Sequence, residues 1–279
     1  MTRPSWRHPA REALCRLIVL GLAAVLAALL ALPLLSLLVR VPIATLLAEV
    51  GEPPVREALW LSLRTSLAAT ALAALLGLPM AHLLATRRFP GKAALEVLLD
   101  LPLVLPPTVA GFALLMAFGR AGLVGRALSV MGISLPFTTA GAVLAQLFMS
   151  VPLFIVAARA GLTAVSSRYL DAAATLRASR AYTFWRVRLP LALPNIVAGL
   201  GLCWARALGE FGATITFAGN LAGRTRTMPL AVYLELQQNL GAAATLSLLL
   251  VIMASVLLVA MRQAGLGLFA PLHAARRAD

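Results

Sequence analysis

Long apolar runs separated by short, mostly basic connectors dominate the chain. Leu17–Leu38 carries no charge over 22 residues, about 33 Å as a helix and enough for a hydrocarbon core of about 30 Å. Further runs follow at Ala58–Thr86, Val97–Phe118, Ala140–Ala158, Leu191–Gly219 and Ala242–Met261. The pattern predicts an all-α integral membrane protein with six transmembrane helices. A cleaved signal peptide is the competing reading of the first run, because Arg3, Arg7, Arg11 and Arg16 resemble a basic leader. The run exceeds a leader core of about 7–15 residues, and no clean A-x-A site follows it.

Composition sharpens this picture. Of 279 residues, 61% are hydrophobic and 12% charged, far from the balance of a soluble domain. The net charge of +14 could point to nucleic acid, but the basic residues sit in connectors, where orienting the chain in a bilayer explains them. Sixteen Lys and Arg fall in the two termini and the second and fourth connectors, against six on the other side. Arg64 and Arg206 lie within runs. The positive-inside rule therefore places both termini in the cytoplasm. Cys15 and Cys203 have no CxxC, zinc or haem spacing, so neither a disulfide nor a metal site is expected.

Leu101–Gly111 matches Leu189–Gly199 at eight of eleven positions, and each segment opens a run directed outward. A duplication lining one cavity and chance among Leu, Pro, Ala and Val both account for it. No phosphate-cradling motif is present. The only lysine, Lys92, precedes Ala93, and Thr86 stands where the first glycine of a P-loop belongs. No cofactor is expected on this chain. Hydrolase and metalloprotease signatures are likewise missing from the sequence, so an enzyme is not expected.

The connector Arg159–Pro190 has helical order of its own. Ser166 or Ser167 can cap a short helix from Arg168, with Asp171 in its first turn, where the helix dipole favours an anion. Tyr169, Leu170, Ala173 and Leu176 then form an apolar stripe suited to a groove in a soluble partner. A helix lying on lipid headgroups, helped by six arginines and Trp185, is the alternative.

Asp171-Ala172-Ala173, followed by Arg177 and by Val187-Arg188-Leu189-Pro190, resembles the EAA loop of ABC-transporter permeases, E-A-A-x3-G-x9-I-x-L-P. The resemblance implies a type I ABC importer permease architecture in which this loop couples to an ATP-hydrolysing subunit. Two positions depart from the pattern. Aspartate replaces glutamate, and Arg177 takes the glycine position, which is strained if the turn needs a positive φ.

The fifth run carries charge where a span should carry none. Arg206 stands beyond mid-depth, where an arginine costs about 2.5–3.5 kcal/mol on insertion scales. Glu210 lies one turn on, at ion-pair spacing. A neutralising packing pair and a lining group of a translocation path or gate both fit. Gly209, Gly212 and Gly219 permit close approach or a bend, and Phe211 sits among them. This stretch with Arg224–Tyr233, and Leu105–Gly111 with Pro106, Pro107 and Thr108, resembles the molybdate permease branch of the family. By that resemblance the chain is a homodimeric subunit of an importer in the cell inner membrane. Its expected partners are ABC ATPase subunits below, which hold the ATP, and a periplasmic molybdate-binding protein above, with lipid around it and no nucleic acid. Sulfate, thiosulfate and tungstate permeases share much of the pattern. The expected organisation is 1–57 for the tail, first helix and first external loop, 58–262 for the permease core, and 263–279 for a cytoplasmic tail. A rival of another class is a proton-coupled secondary transporter with His82, Asp100, Arg206 and Glu210 as a relay.

Overall fold

The computed structural model describes residues 9–275, and no strand occurs among them. The basic residues Arg3, Arg7, Arg276 and Arg277, counted toward orientation, lie outside the described residues. The chain begins with α1 (Pro9–Arg40), a short α2 (Ile43–Gly51) and the long α3 (Pro53–Thr86). Next come α4 (Lys92–Val104), α5 (Pro107–Phe118) and the one-turn α6 (Gly125–Val130). α7 (Thr139–Ala164), α8 (Ser167–Thr175) and α9 (Arg180–Thr183) lead through a π-helical turn, Phe184–Arg188, into α10 (Leu189–Leu208). α11 (Gly212–Ala218), α12 (Met228–Leu236) and α13 (Leu240–Ala275) complete the described chain.

Small residues set the centre. On α3, Ala69, Ala73, Gly77 and Ala81 are buried at four-residue intervals, which stacks them along one face. A face this flat lets neighbouring backbones approach closely, the usual means of packing helices in lipid. α7 and α10 pack on it and on each other. A Cβ added at Gly77 would stand 2.8 Å from Phe154 Cδ1, so the buried ring occupies the space that glycine leaves. Two buried hydroxyls fasten one end of this core. Trp204 Nε1 donates to Ser66 Oγ at 3.0 Å, and the Met228 amide donates to Ser62 Oγ at 2.6 Å.

Among the described residues five helical stretches are long and apolar enough to cross a bilayer, α9 to α10 counting as one, and a sixth span exists if α4 and α5 count as one. The predicted third span is therefore not a continuous helix. α4 and α5 meet at a bend of 120° around Leu105-Pro106. Pro107 has no amide hydrogen and disfavours helical geometry at Pro106, which adopts φ −54° and ψ 132°. The predicted fifth span is also interrupted. α10 stops at Leu208, and Gly209, Glu210 and Phe211 separate it from α11. α1 borders α13 with no residue of its apolar stretch buried, as suits a helix solvated by lipid tails.

Candidate functional site

Two regions hold the candidate residues. The first is α8 and the turn that follows it. Ser166 caps the helix, its Oγ accepting from the Arg168 amide at 3.4 Å. The helix thus starts at Ser167, which leaves Asp171 beyond the first turn and outside the reach of the dipole effect expected for it. The apolar stripe divides. Ala173 is buried and Leu170 half-buried, whereas Tyr169 and Leu176 are 54% and 82% exposed. Asp171 and Ala172 face outward with them.

The helix ends in a Schellman turn: the Ala178 amide donates to Ala173 O and the Arg177 amide to Ala174 O, at 3.0 and 2.9 Å. Arg177 has φ +55°, so the position does need left-handed backbone and arginine supplies it at a cost. Val187 lies in the π-helical turn, and Leu189 and Pro190 open α10; the Leu189 amide bonds Phe184 O five residues back, and Pro190, which has no amide hydrogen, follows this wider turn.

The second region is the break between α10 and α11. Glu210 is 1% exposed and Arg206 31%, and their ion pair is 2.6 Å long although no continuous helix joins them. The other carboxylate oxygen, Oε1, accepts from the Ala213 amide at 2.8 Å. Arg206 thereby sits in the last turn of α10 and Glu210 at the start of α11, each at the helix end whose dipole favours its charge. The carboxylate is anchored inside while the guanidinium reaches outward. Phe211 packs against Tyr233, with ring centroids 4.9 Å apart.

This break abuts the one in the third span. A Cβ on Gly212 would lie 2.7 Å from Pro107 Cβ and 3.3 Å from the Thr108 amide nitrogen. A Cβ on Gly111 would lie 2.7 Å from Thr216 Cβ. Pro106, Pro107 and Thr108 are exposed at this seam. Gly219 has φ +74° and requires glycine, but Gly209 does not. A Cβ there would meet only Ala205 O, at 3.6 Å, so Gly209 makes no close approach; of the two expected roles it has the other, standing at the end of α10 where the helix breaks.

The relay of the rival reading is not assembled. His82 packs edge-on against Phe184 at 4.4 Å, Asp100 is exposed on α4, and among the described residues no hydrogen bond or ion pair joins either to Arg206–Glu210. Arg64 is exposed and lies 4.5 Å over the Trp60 ring. Sequence reasoning missed Ser62, Ser66 and Tyr233. Two serines one helical turn apart in an apolar run were the available sign for the first two; nothing marked Tyr233 as the partner of Phe211.

Residues 73–265 match the family described as the inner membrane component of binding-protein-dependent transport systems. The chain belongs to this family. It is 47% identical over 229 residues to the molybdenum transport system permease protein ModB of Mycobacterium tuberculosis, covering 82% of this chain and 87% of that one. It is 36% identical over 210 residues to the sulfate transport system permease protein CysT of Salmonella typhimurium, covering 75% and 76%. Among solved structures, a bacterial alginate ABC transporter in complex with an alginate pentasaccharide-bound periplasmic protein shares the fold. Its TM-score is 0.71 at 15% identity, covering 97% of this chain and 98% of that one.

Proposed function

We propose that this chain is the permease subunit of an ATP-driven importer that carries molybdate across the inner membrane. The observation that carries the reading is its identity with the molybdenum permease, 47% over 82% of the chain, against 36% for the sulfate permease. Two copies of the chain enclose the path, with both termini in the cytoplasm. Tyr169, Asp171, Ala172 and Leu176 form the face that meets a separate ATPase, and a periplasmic protein delivers the oxyanion from above.

The mechanism we propose uses both regions. ATP binding draws the ATPase subunits together, α8 moves with them, and the spans open outward. Release of ADP and phosphate reverses the motion. Arg206 offers a positive charge toward the path, while Glu210 behind it lowers the net attraction, so an oxyanion is guided without being trapped. Pro106, Pro107 and Thr108 border the same break from α5.

The test is uptake of labelled molybdate by the complete transporter in vesicles, competed with tungstate and sulfate. Uptake should need ATP and the ATPase subunit, and sulfate should compete more weakly than tungstate. Accumulation by this chain alone, driven by a proton gradient, would refute the proposal.

A further inference from the structure

A cavity of about 460 Å³ opens at the cytoplasmic ends of α3, α8 and α10. Its wall brings together Arg87 beyond the end of α3, Arg180 at the start of α9 and Arg188 in the π-helical turn, with His82 and Thr183 beside them. Among the described residues no carboxylate lines it. Glu96 on α4, an acid of this side of the molecule, is already engaged by Lys92 and Arg159 at 3.9 and 3.0 Å. Three guanidinium groups around one cavity repel one another, and no acidic side chain of the lining offsets that cost.

The polar atoms of the wall are also short of partners. Arg188 Nε and His82 Nδ1 are buried with no hydrogen bond in the protein. Arg188 Nε–H is a donor in every state, and an unpaired buried donor is costly, so it ordinarily meets an acceptor. Planar guanidinium forks match the paired oxygens of a phosphate group and bind it through charge-assisted hydrogen bonds. Tyr182 and Trp185 on the same segment are 58% and 61% exposed, as are aromatic residues that rest at the headgroup level of a bilayer.

We propose that this cavity binds a phosphate-type oxyanion, supplied by the headgroup of an anionic phospholipid in the cytoplasmic leaflet or by a free inorganic anion. Basic pockets between helices on this side of a membrane are suited to such headgroups. The bound group ties the end of α3 to the start of α10 behind Leu170 and Ala174 of α8, and so steadies the seat of that helix. Binding at this site does not depend on which substrate the transporter carries.

The complete transporter, with its ATPase subunits, is reconstituted in three ways. The vesicles are phosphatidylcholine alone, phosphatidylcholine with phosphatidylglycerol, or phosphatidylcholine alone with inorganic phosphate added. The thermal midpoint of the permease is followed in each. The wild-type chain and Arg168→Gln, whose side chain is outside the cavity, should gain stability from one of the two additions. A gain with phosphatidylglycerol alone assigns the site to the lipid, and a gain with phosphate assigns it to the free anion. The double variant Arg87→Gln, Arg180→Gln alters two exposed side chains and leaves the packing intact. It should need roughly tenfold or more of the same addition for each lost guanidinium contact. No gain from either addition, as when an acidic side chain of the ATPase fills the cavity, overturns the proposal. So does an undiminished gain in the double variant.

Discussion

Arg177 holds a backbone conformation that L side chains adopt at a cost of about 1–2 kcal/mol, with φ +55°. Glycine removes the strain but gives the unfolded chain more freedom, which cancels part of the gain. Arg177→Gly should therefore stabilise the protein by roughly 0.5–1 kcal/mol, read as a raised denaturation midpoint in detergent. At the Arg206–Glu210 pair the two partners are unequal. Losing Arg206 leaves a carboxylate that is 1% exposed, whereas Glu210→Gln keeps an acceptor for the Ala213 amide. Arg206→Met should cost about 3 kcal/mol and Glu210→Gln clearly less, measured by thermal unfolding. Exchanging the two residues is no neutral test of a packing role. It would put arginine in the buried slot and set both charges against the helix dipoles. The i, i+4 spacing of this pair was legible in the chain, and so was the strain at Arg177. The helix end between Arg206 and Glu210 was not, because pairing distance alone does not distinguish a continuous helix from a folded break.

At the scale of elements, the two similar segments adopt different structures. Leu189–Gly199 runs through one unbroken helix, while Leu101–Gly111 contains the 120° bend. The differing residue that matters is Pro107, which stands where the second copy has Asn195. A second consecutive proline removes an amide and constrains the residue before it, which makes the break possible at this point. The matched glycines play a similar part in both segments. Gly111 faces Thr216, and Gly199 stands where a Cβ would be 2.7 Å from Ala157 Cβ. The double proline was readable as a weak point in the third run, but a bend of this size follows only from α5 packing against α11. Gly212→Ala should destabilise the protein by about 1–3 kcal/mol through its contact with Pro107, and Gly209→Ala should be neutral. Their thermal midpoints in detergent test the seam directly. On α8, periodicity identified the stripe but not which way it divides. Ala173 is buried within this chain, so a bulky residue there disturbs the helix itself. The decisive change is at exposed Leu176, where Leu176→Arg should release the ATPase from a folded permease, as scored by co-purification.

For the whole molecule, the exposed leucines of α1 and α13 make sense only with lipid tails as solvent. Hydropathy made this class of fold legible, since bilayer thickness imposes a length that a run of residues either meets or misses. The bundle at its heart was less apparent, although Ala69, Ala73, Gly77 and Ala81 mark its seam at four-residue spacing. Orientation rests on the arginine bias and has its own test. In a protein lacking Cys15 and Cys203, Arg168→Cys should react with an impermeant thiol reagent only from the cytoplasm, and Arg126→Cys only from outside.

Gly212 resting on Pro107 has a mechanical consequence. The two interrupted spans touch at their points of interruption, where neither has a helical hydrogen-bond ladder to resist turning. A rotation of one must push the other, as meshed teeth do, and the pair acts as a single joint. A covalent clip across it should freeze both spans at once, and stiffening either one alone should be felt in its neighbour.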